Sequence, residues 1–320
     1  MKKYLITGCS GFVGRHFLEY LDRNKTHASV KGLDVRQPEF SHDSYRNIRL
    51  DCEEIDLLDQ DRVGSVIFNF QPDYILHLAS YSSVAFSWKE PILSFRNNMN
   101  ICLNLFESVR KLNLPARILS IGSSEEYGNV DEKALPLTEE QIPRPVSPYA
   151  VARVSQEMIS KVYVDGYGLD IIMTRSFNHI GPFQKDIFVI SSFAKQLVEI
   201  KRNGGGSGKL VTGDTSIVRD FTDVRDVVAA YDLLLKKGRT GEIYNVCSGR
   251  GTSLNDVINI MAGILDLRIQ IQMNEKLVRP SDNRVIIGSN EKIRKEVGWN
   301  NAIPLEQSLK DIIDYWQKTF

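Results

Sequence analysis

The sequence predicts an α/β fold in which a doubly wound parallel sheet is followed by a smaller mixed α/β domain. Short apolar strands alternate with amphipathic helices through the first half of the 320 residues, a pattern typical of parallel sheets with helical crossovers. The segment 74–79 is almost wholly apolar, as expected for a strand that is covered on both faces. A glycine-rich turn joins the first strand to the first helix. Together these three observations predict a sheet of the kind that binds nucleotides.

The first strand and helix carry this pattern. Tyr4-Leu5-Ile6-Thr7 is a short apolar strand, and an amphipathic helix follows over residues 12–22. Glycines between them let the backbone approach a pyrophosphate, and the helix N-terminus offers N–H groups and the positive end of its dipole. A generic turn between strand and helix is the alternative. The residues expected to contact a dinucleotide here are Gly8, Ser10, Gly11, Phe12, Val13 and Gly14.

An acidic residue follows the second predicted strand. This strand spans residues 29–33 and is followed by Asp34. A carboxylate at this place accepts hydrogen bonds from the adenosine ribose and repels a 2′-phosphate, which favours NAD(H). Arg36 lies two residues further on and could hold a 2′-phosphate instead. The sequence therefore predicts NAD(H) as the preferred cofactor and NADP(H) as a possible one.

The next elements continue the alternation. We predict a short strand at 47–51, a helix at 60–70, the apolar strand at 74–79 and a long helix at 91–113. His77, inside the apolar strand, is interpreted as a core histidine with satisfied hydrogen bonds rather than as a base. The long helix contains four asparagines, which are poor helix formers, so one or two of them are expected to contact ligand or backbone.

Polar side chains cluster where the strand predicted at 117–121 ends. The residues that follow, 122–128, read Gly-Ser-Ser-Glu-Glu-Tyr-Gly. Ligands of doubly wound sheets bind beyond the carboxyl ends of the strands, so two hydroxyls and two carboxylates at such an end are candidate site residues. A polar turn capped by serine and glutamate explains the same residues equally well.

A tyrosine and an arginine stand four residues apart near the middle of the chain. The segment 147–153 reads Ser-Pro-Tyr-Ala-Val-Ala-Arg and is predicted to be helical after its proline. Positions i and i+4 share one face of a helix, so Tyr149 and Arg153 should point the same way. A cation close to a phenol favours the phenolate, which makes a tyrosine usable as an acid or base. An ordinary tyrosine beside a solvated arginine is the alternative.

A sixth strand is predicted at 168–174, and the strict alternation of strand and helix ends after residue 175. Beyond it we predict helices at 187–202, 225–236 and 305–318 and strands at 209–212 and 242–246. The predicted domains are 1–175, to which residues 217–247 return, and a second domain made of 176–216 and 248–320.

The composition is that of an ordinary globular protein. Lys+Arg and Asp+Glu both number 40, and this balance suggests no nucleic-acid or membrane partner. The apolar stretch after Met1-Lys2-Lys3 is too short for a signal peptide, and no apolar run is long enough for a membrane span. The four cysteines are widely spaced without a C-x-x-C pair, so we expect neither a metal site nor a disulfide framework. A cytoplasmic location is the resulting expectation.

These motifs, in this order, resemble the extended short-chain dehydrogenase/reductase family over essentially the whole chain. The family's marks are the glycines at positions 8, 11 and 14, the acid after the second strand, and a Ser/Thr…Tyr-x-x-x-Lys catalytic set. Within the family the chain is most similar to enzymes that act on GDP-linked deoxymannose sugars. Four segments carry that similarity: 121–128, 175–182, 218–227 and 244–249.

The resemblance implies residue roles. Tyr149 would donate a proton to the C4 carbonyl of the substrate, Ser123 would hydrogen-bond the same oxygen, and Glu125 matches an acid/base glutamate of related dehydratases. Arg153 departs from the family, which has lysine there, and the exchange is not conservative because arginine is planar and never deprotonated. The substrate-binding candidates are Ser83, Ser124, Asn178, Lys195, Arg219, Arg279 and Asp282. Further cofactor-binding candidates are Asp56, Leu57, Leu78, Ala79, Asn98, Tyr149 and Arg153.

The resemblance also implies an activity and an assembly. A Rossmann-type domain would bind NAD(P)H, and the C4 keto group of a GDP-linked or other nucleotide-linked 6-deoxyhexose would be reduced, giving GDP-D-rhamnose or its C4 epimer. A 4,6-dehydratase or 4-epimerase is the alternative within the superfamily, and a nucleotide-sugar-binding protein weakened in catalysis is the alternative of another class. The helices at 91–113 and 149–166 carry extra apolar stripes, and family members pair through these helices. We therefore expect a homodimer built on a four-helix bundle.

Overall fold

Seven parallel strands form the central sheet of the protein, whose computed structural model describes residues 1–40, 45–277 and 283–320. The strands are β1 (Lys3–Thr7), β2 (Ala28–Asp34), β3 (Ile48–Glu54), β4 (Tyr74–His77), β5 (Arg117–Ser123), β6 (Ile171–Ser176) and β10 (Ile243–Val246). Their order across the sheet is β10-β6-β5-β4-β1-β2-β3, and every neighbouring pair is parallel. This arrangement confirms the predicted α/β fold class.

Helices cover both faces of this sheet. One face is covered by α1 (Phe12–Arg23), α7 (Val224–Lys237) and α9 (Glu291–Val297), and the other by α2 (Gln60–Phe70), α4 (Pro91–Lys111) and α5 (Pro148–Tyr167). Successive residues of a strand point to opposite faces. Accordingly Tyr4 and Ile6 lie in the core between the sheet and the helices α1, α7 and α9, whereas Leu5 lies in the core on the opposite face.

A third core lies in the C-terminal part of the chain. It is formed by α6 (Val189–Arg202), α8 (Leu254–Ile264) and α10 (Leu305–Thr319). A smaller sheet centres on β9 (Val218–Asp223), which pairs with β7 (Asn178–Ile180), β11 (Gly251–Ser253) and β13 (Val285–Ile286). A two-stranded sheet joins β8 (Ser207–Thr212) to β12 (Arg268–Met273). The chain thus leaves the large sheet after β6 and rejoins it through α7 and β10.

Several elements differ in detail from the sequence expectations. The predicted strand 168–174 begins at Ile171, because Gly168 ends α5 in a left-handed conformation with φ of +71°. The helix α3 (Val84–Lys89) and the strand β7 were not predicted, since both are too short to show a hydrophobic period. Of the helices in the described residues, none is long and apolar enough to cross a membrane.

Candidate active site

The candidate site lies where the strand order reverses. In chain order the sheet grows from β1 to β3 in one direction and from β4 to β6 in the other, so the switch point falls between β1 and β4. Ligands of open α/β sheets bind in the crevice outside the carboxyl ends of the strands at this point. The glycine turn follows β1, the segment from Leu78 follows β4, and the Ser-Ser-Glu-Glu segment follows β5. Three of the predicted motifs therefore meet at one edge of the sheet.

The glycine turn is shaped for a closely approaching ligand. Gly8 has φ of +72°, and a Cβ atom there would lie 2.9 Å from the backbone nitrogen of Ala79. A Cβ atom on Gly14 would lie 2.5 Å from the carbonyl oxygen of Cys9. Gly11 is the residue that precedes α1, and as a glycine it has no side chain that could cap the helix. The first N–H groups of α1 therefore face the turn without a side-chain oxygen from Gly11. An anion such as a pyrophosphate is well suited to that position.

The acid after β2 is tied to this turn. The Asp34 carboxylate accepts a hydrogen bond from the backbone N–H of Ser10 at 3.0 Å, and the Ser10 hydroxyl donates to the Arg36 carbonyl at 2.9 Å. The side chain of Arg36 is exposed. Of the other residues predicted for this site, Phe12 lies with its ring against His179, at a centroid distance of 6.1 Å, and Val13 is half-buried.

The side chains of two asparagines of α4 hydrogen-bond the backbone of neighbouring loops. Asn98 is buried, accepts from the Tyr81 N–H at 2.8 Å and donates to the Tyr81 carbonyl at 3.2 Å. Asn104 donates to the carbonyl of Leu57 at 2.9 Å, in the segment where Asp56 is exposed. Two of the four asparagines thus contact backbone, as expected, and the sequence did not single out Asn104.

Thr7 and His77 lie beneath the segment that contains Leu78 and Ala79. The Thr7 hydroxyl accepts from the Ala79 N–H at 3.2 Å and is hydrogen-bonded to His77 Nδ1 at 2.8 Å. His77 is a core histidine, as predicted, but the expectation that both its nitrogens are satisfied is wrong. Its Nε2 is buried and has no hydrogen-bond partner among the described residues. Burial, reinforced by the charge of Arg153, lowers the pKa of His77 to about 3.

Tyr149 and Arg153 meet on one face of α5, as the i, i+4 spacing predicted. Ser147 caps this helix by accepting from the Ala150 N–H at 3.1 Å, and Pro148 occupies its first turn. Arg153 Nε donates to the Tyr149 hydroxyl at 3.2 Å. Both side chains are buried, so neither is the solvated surface residue of the alternative interpretation.

The other hydrogen bonds of Arg153 also go to neutral oxygen atoms. One terminal nitrogen, Nη1, donates to the Ile121 carbonyl at 2.9 Å and to Gln156 Oε1 at 2.7 Å, and Nη2 donates to the Ser80 hydroxyl at 2.5 Å. Within the described part of the chain these are its hydrogen-bonding partners together with Tyr149. The guanidinium therefore acts on its surroundings as a buried positive charge that no carboxylate of residues 1–40, 45–277 or 283–320 offsets.

Ser123 lies at the end of β5 and caps a short 3-10 helix over Ser124–Tyr127. Its hydroxyl accepts from the Glu125 N–H at 3.2 Å, and its own N–H donates to Glu126 Oε1 at 2.7 Å. This reciprocal arrangement is a capping box. Ser124 is buried and Glu125 is half-buried. The capped turn that served as the alternative interpretation is thus present, and it fixes the hydroxyl of Ser123 at the sheet edge.

Glu126 is a buried carboxyl group that the sequence places in the polar cluster after β5 but to which it assigns no role of its own. It is 0% exposed, and its Oε2 lies 3.9 Å from Arg175 Nε without a hydrogen-bond partner among the described residues. Burial, with the negative charge of Glu157 nearby, raises the pKa of Glu126 well above its ordinary value of 4.5. The serine three positions before it, which makes an S-x-x-E capping pattern, is the signal that could have identified it.

The predicted substrate residues are spread over several elements. Asn178 begins β7 and pairs with Phe221 of β9, the strand that also carries Arg219, whose Nη1 donates to the Asn283 carbonyl at 2.7 Å. Lys195, on α6, forms an ion pair with Asp186 at 2.7 Å. Ser83 caps α3 by accepting from the Phe86 N–H at 3.1 Å. Arg279 and Asp282 lie outside the described residues.

Comparison with known proteins gives consistent matches over the full length. A family model described as GDP-mannose 4,6 dehydratase matches residues 5–312. The GDP-6-deoxy-D-mannose reductase of Pseudomonas aeruginosa is 33% identical over 316 residues, which make up 99% of this chain and 97% of that protein.

Solved structures agree with these sequence matches. The structure of RMD from Pseudomonas aeruginosa complexed with NADPH has a TM-score of 0.85 and 31% identity, with 100% of this chain and 99% of that chain covered. The UDP-glucose 4-epimerase of Thermus thermophilus in complex with NAD has a TM-score of 0.87 and 27% identity, with coverage of 99% and 100%.

Proposed function

We propose that this chain, which belongs to the GDP-mannose 4,6-dehydratase family of the extended short-chain dehydrogenases/reductases, reduces the C4 keto group of a nucleotide-linked 6-deoxyhexose. Membership confirms the family predicted from the motifs. The substrate that we favour is GDP-4-keto-6-deoxy-D-mannose, and the product would be GDP-D-rhamnose or its C4 epimer. The full-length similarity to a GDP-6-deoxy-D-mannose reductase supports this choice. The observation that carries the proposal is the buried hydrogen bond between Arg153 and Tyr149, next to the switch point of the sheet.

The chain's own residues fit a dinucleotide. The turn at Gly8 and Gly14 has no room for Cβ atoms, and the N-terminus of α1 can receive a pyrophosphate. Asp34 stands where it can accept hydrogen bonds from a ribose. Bound NAD(P)H would supply the hydride that the sugar C4 atom accepts. We assign residues 1–175 with 217–247 to a cofactor-binding domain and residues 176–216 and 248–320 to a nucleotide-sugar-binding domain, with substrate contacts from both.

Tyr149 would supply the proton that completes the reduction. Its O–H bond breaks, the proton moves to the carbonyl oxygen of the sugar, and the carbonyl becomes an alcohol once C4 has received the hydride. Ser123 would hydrogen-bond the same oxygen and hold it near Tyr149. Arg153 would stabilise the phenolate that remains, because a cation in contact with an anion in a poorly solvated site interacts strongly with it.

The nucleotide diphosphate would be held by cations and amides at the smaller sheet and near it. Asn178 and Arg219 lie on its adjacent strands β7 and β9, and Arg279 is a further candidate. Lys195 and Asp282 are candidates for the nucleotide and its sugars. Ligands that bind only the folded state raise the melting temperature by mass action. A thermal-shift series with GDP-, dTDP-, UDP- and CDP-linked sugars should therefore show a clear rise for GDP-sugars alone. An equal rise with another nucleotide would overturn the assignment of the base.

We further propose that NADH binds more tightly than NADPH. Bound NADPH would place a phosphate against the Asp34 carboxylate, a like-charge contact. Asp34→Ser should narrow or invert the preference, measured as the ratio of the two dissociation constants. Comparable affinities in the parent would mean that Arg36 outweighs the acid.

A 4,6-dehydratase is the second candidate, because the matching family model carries that description and Glu125 lies next to Ser123 at the sheet edge. Such an enzyme would keep its cofactor bound and would eliminate water across C5 and C6 with Glu125 as acid and base. It would convert GDP-mannose without net consumption of NADH.

The deciding experiment follows NADH absorbance with GDP-4-keto-6-deoxy-D-mannose as substrate. We expect absorbance to fall in the parent, and Tyr149→Phe to lower kcat by about 10²- to 10⁴-fold, the usual effect of one proton-transfer group. Binding of GDP-sugar and cofactor should change little in this variant. Reduction by Tyr149→Phe at the parent rate would show that another group supplies the proton. No turnover in the parent with either substrate would leave a nucleotide-sugar-binding protein.

We also propose a homodimer through α4 and α5. These adjacent helices expose large apolar side chains, including Ile92 at 73%, Met158 at 66% and Val162 at 54%. A second copy of the chain that presents the same stripe would bury them in a four-helix bundle. Light scattering at micromolar concentration should give twice the chain mass, and Met158→Glu should shift it toward the monomer mass. A monomeric parent would contradict this proposal.

A further inference from the structure

We infer that Gln156, assisted by Ser80, is a positioning residue that enables an arginine to serve at position 153. The inference rests on the proposed function, since it concerns the group beside Tyr149. Gln156 is 2% exposed and its Oε1 accepts from Arg153 Nη1 at 2.7 Å. The Ser80 hydroxyl accepts from Arg153 Nη2 at 2.5 Å. Neither residue belongs to the family's catalytic motif.

The orientation of the Gln156 amide is fixed by its other end. Its Nε2 donates to the Ile121 carbonyl at 3.2 Å and lies 2.8 Å from the Ser120 hydroxyl, on β5. A carbonyl can only accept, so the NH₂ group must face β5 and the amide oxygen must face Arg153. Ser160 supports the same end, since its hydroxyl lies 3.4 Å from that of Ser120. Gln156 therefore links the strand that ends at Ser123 to the guanidinium that contacts Tyr149.

Counting donors shows what this support achieves. A guanidinium carries five N–H donors in a rigid planar fork. Nε uses one on Tyr149, Nη1 uses two on Ile121 and Gln156, and Nη2 uses one on Ser80. Among the residues that the structure describes, one N–H of Nη2 then has no acceptor. It is left for a ligand hydroxyl, such as that of a cofactor ribose. Since the fork is planar, fixing both terminal nitrogens also fixes Nε on the Tyr149 hydroxyl.

A lysine at this position would not need the same support. Its three donors sit on one nitrogen at the end of a flexible stem, so they cannot occupy the separate places of Nε, Nη1 and Nη2. A lysine could bond Tyr149 and still turn toward a ligand without help from Gln156. The contribution of Gln156 to the reaction should therefore depend on arginine at position 153. A residue that only stabilises the fold would contribute equally with either side chain.

The test is a double-mutant cycle between positions 153 and 156, with kcat, KM and the dissociation constant of NADH as readouts. We expect Gln156→Leu to lower kcat by about 10-fold or more in the arginine protein, and to change it less than about threefold when combined with Arg153→Lys. The loss should fall on kcat and on NADH affinity and leave the KM for the sugar nearly unchanged. Ser80→Ala should show the same dependence with a smaller effect.

Controls separate this result from a folding defect. Gln156→Met keeps the length and flexibility of the side chain and should reproduce Gln156→Leu with an unchanged melting temperature. Ser155→Ala, on the same helix, removes a hydroxyl whose one hydrogen bond among the described residues goes to the Val151 carbonyl at 2.8 Å. It should leave all constants at parent values.

Two results would overturn the inference. Equal losses from Gln156→Leu in the arginine and lysine proteins would assign Gln156 to the fold alone, and parent-like constants in both would remove any role. If the parent binds NADH but reduces no sugar, the proposed function fails while the NADH arm of the cycle still decides the inference. If the parent binds no NADH, both fail.

Discussion

Two arginines are buried in this protein to nearly the same extent, and their surroundings differ. Arg153 is 4% exposed and Arg175 is 2% exposed. Arg175 makes a bidentate pair with Glu157, in which Nε and Nη2 each lie 2.8 Å from a carboxylate oxygen, and Glu126 lies at 3.9 Å. Arg153 donates to a phenol, a carbonyl, an amide and a hydroxyl.

Arg175 is a structural charge that is paired with a carboxylate, whereas the partners of Arg153 among the described residues are neutral. Arg175 is neutralised locally by Glu157, and its Nη1 also donates to the carbonyls of Glu139 and Gln141, so it fastens the loop that leads to α5. An unpaired buried charge is expensive, and it is retained where its field is used. The field of Arg153 falls on Tyr149 and on His77, whose pKa it helps to lower.

Replacing Arg175 should have the largest effect, and it should be an effect on stability. Arg175→Met leaves the Glu157 carboxylate, which is 11% exposed, without its counterion, and removing one partner of a buried ion pair typically costs about 3–5 kcal/mol. Denaturant unfolding of the variant and the parent would measure this difference. A loss below 1 kcal/mol would show that the cluster relaxes or admits water, and that Arg175 is not the structural charge described above.

The same substitution at Arg153 should act on turnover instead. Arg153→Met removes the cation beside Tyr149, and we expect kcat to fall by about 10²-fold, at the lower end of what one proton-transfer group contributes. The free energy of unfolding should change less than in Arg175→Met, because no carboxylate is left unpaired. Steady-state kinetics and the same unfolding experiment test both halves. If Arg153→Met destabilised the fold as much as Arg175→Met, the two arginines would be equivalent and the contrast between them would fail.

The fold and the ligand-binding edge of the sheet could be predicted from the sequence, because they depend on local patterns. Alternating strands and helices indicated the parallel sheet, and the glycines from Gly8 to Gly14 marked the turn that the structure shows closely packed. The i, i+4 spacing of Tyr149 and Arg153 was enough to predict their contact.

Residues whose partners lie far along the chain could not be predicted in this way. The partners of Arg153 include Ser80, 73 positions earlier, and Ile121, 32 positions earlier, and no sequence period connects them. Both glutamates of the cluster after β5 were candidates and only Glu125 was given a role, because two adjacent glutamates do not show which of them a 3-10 turn will bury. The structural role of Arg175 was hidden in the same way, since Glu157 reaches it from another element.

The second carboxyl group near Arg175, that of Glu126, should make the stability of the protein depend on pH. Because the pKa of Glu126 is raised in the folded protein, the folded state holds a proton that the unfolded chain releases above its ordinary value of 4.5. The bound proton stabilises the folded state fully below pH 4.5. This stabilisation is lost as the pH rises toward the pKa that Glu126 has in the folded protein, with a slope of at most about 1.4 kcal/mol per pH unit for one proton. Glu126→Gln keeps the acceptor for the Ser123 N–H and cannot titrate. Its stability relative to the parent should therefore improve steadily from pH 5 to pH 8 in denaturant unfolding. Glu132→Gln, which removes an exposed carboxylate of a neighbouring short helix, is the matched control. If the difference between Glu126→Gln and the parent stayed constant over that range, Glu126 would be ionised in the folded protein, and Arg175 would be paired with two carboxylates rather than one.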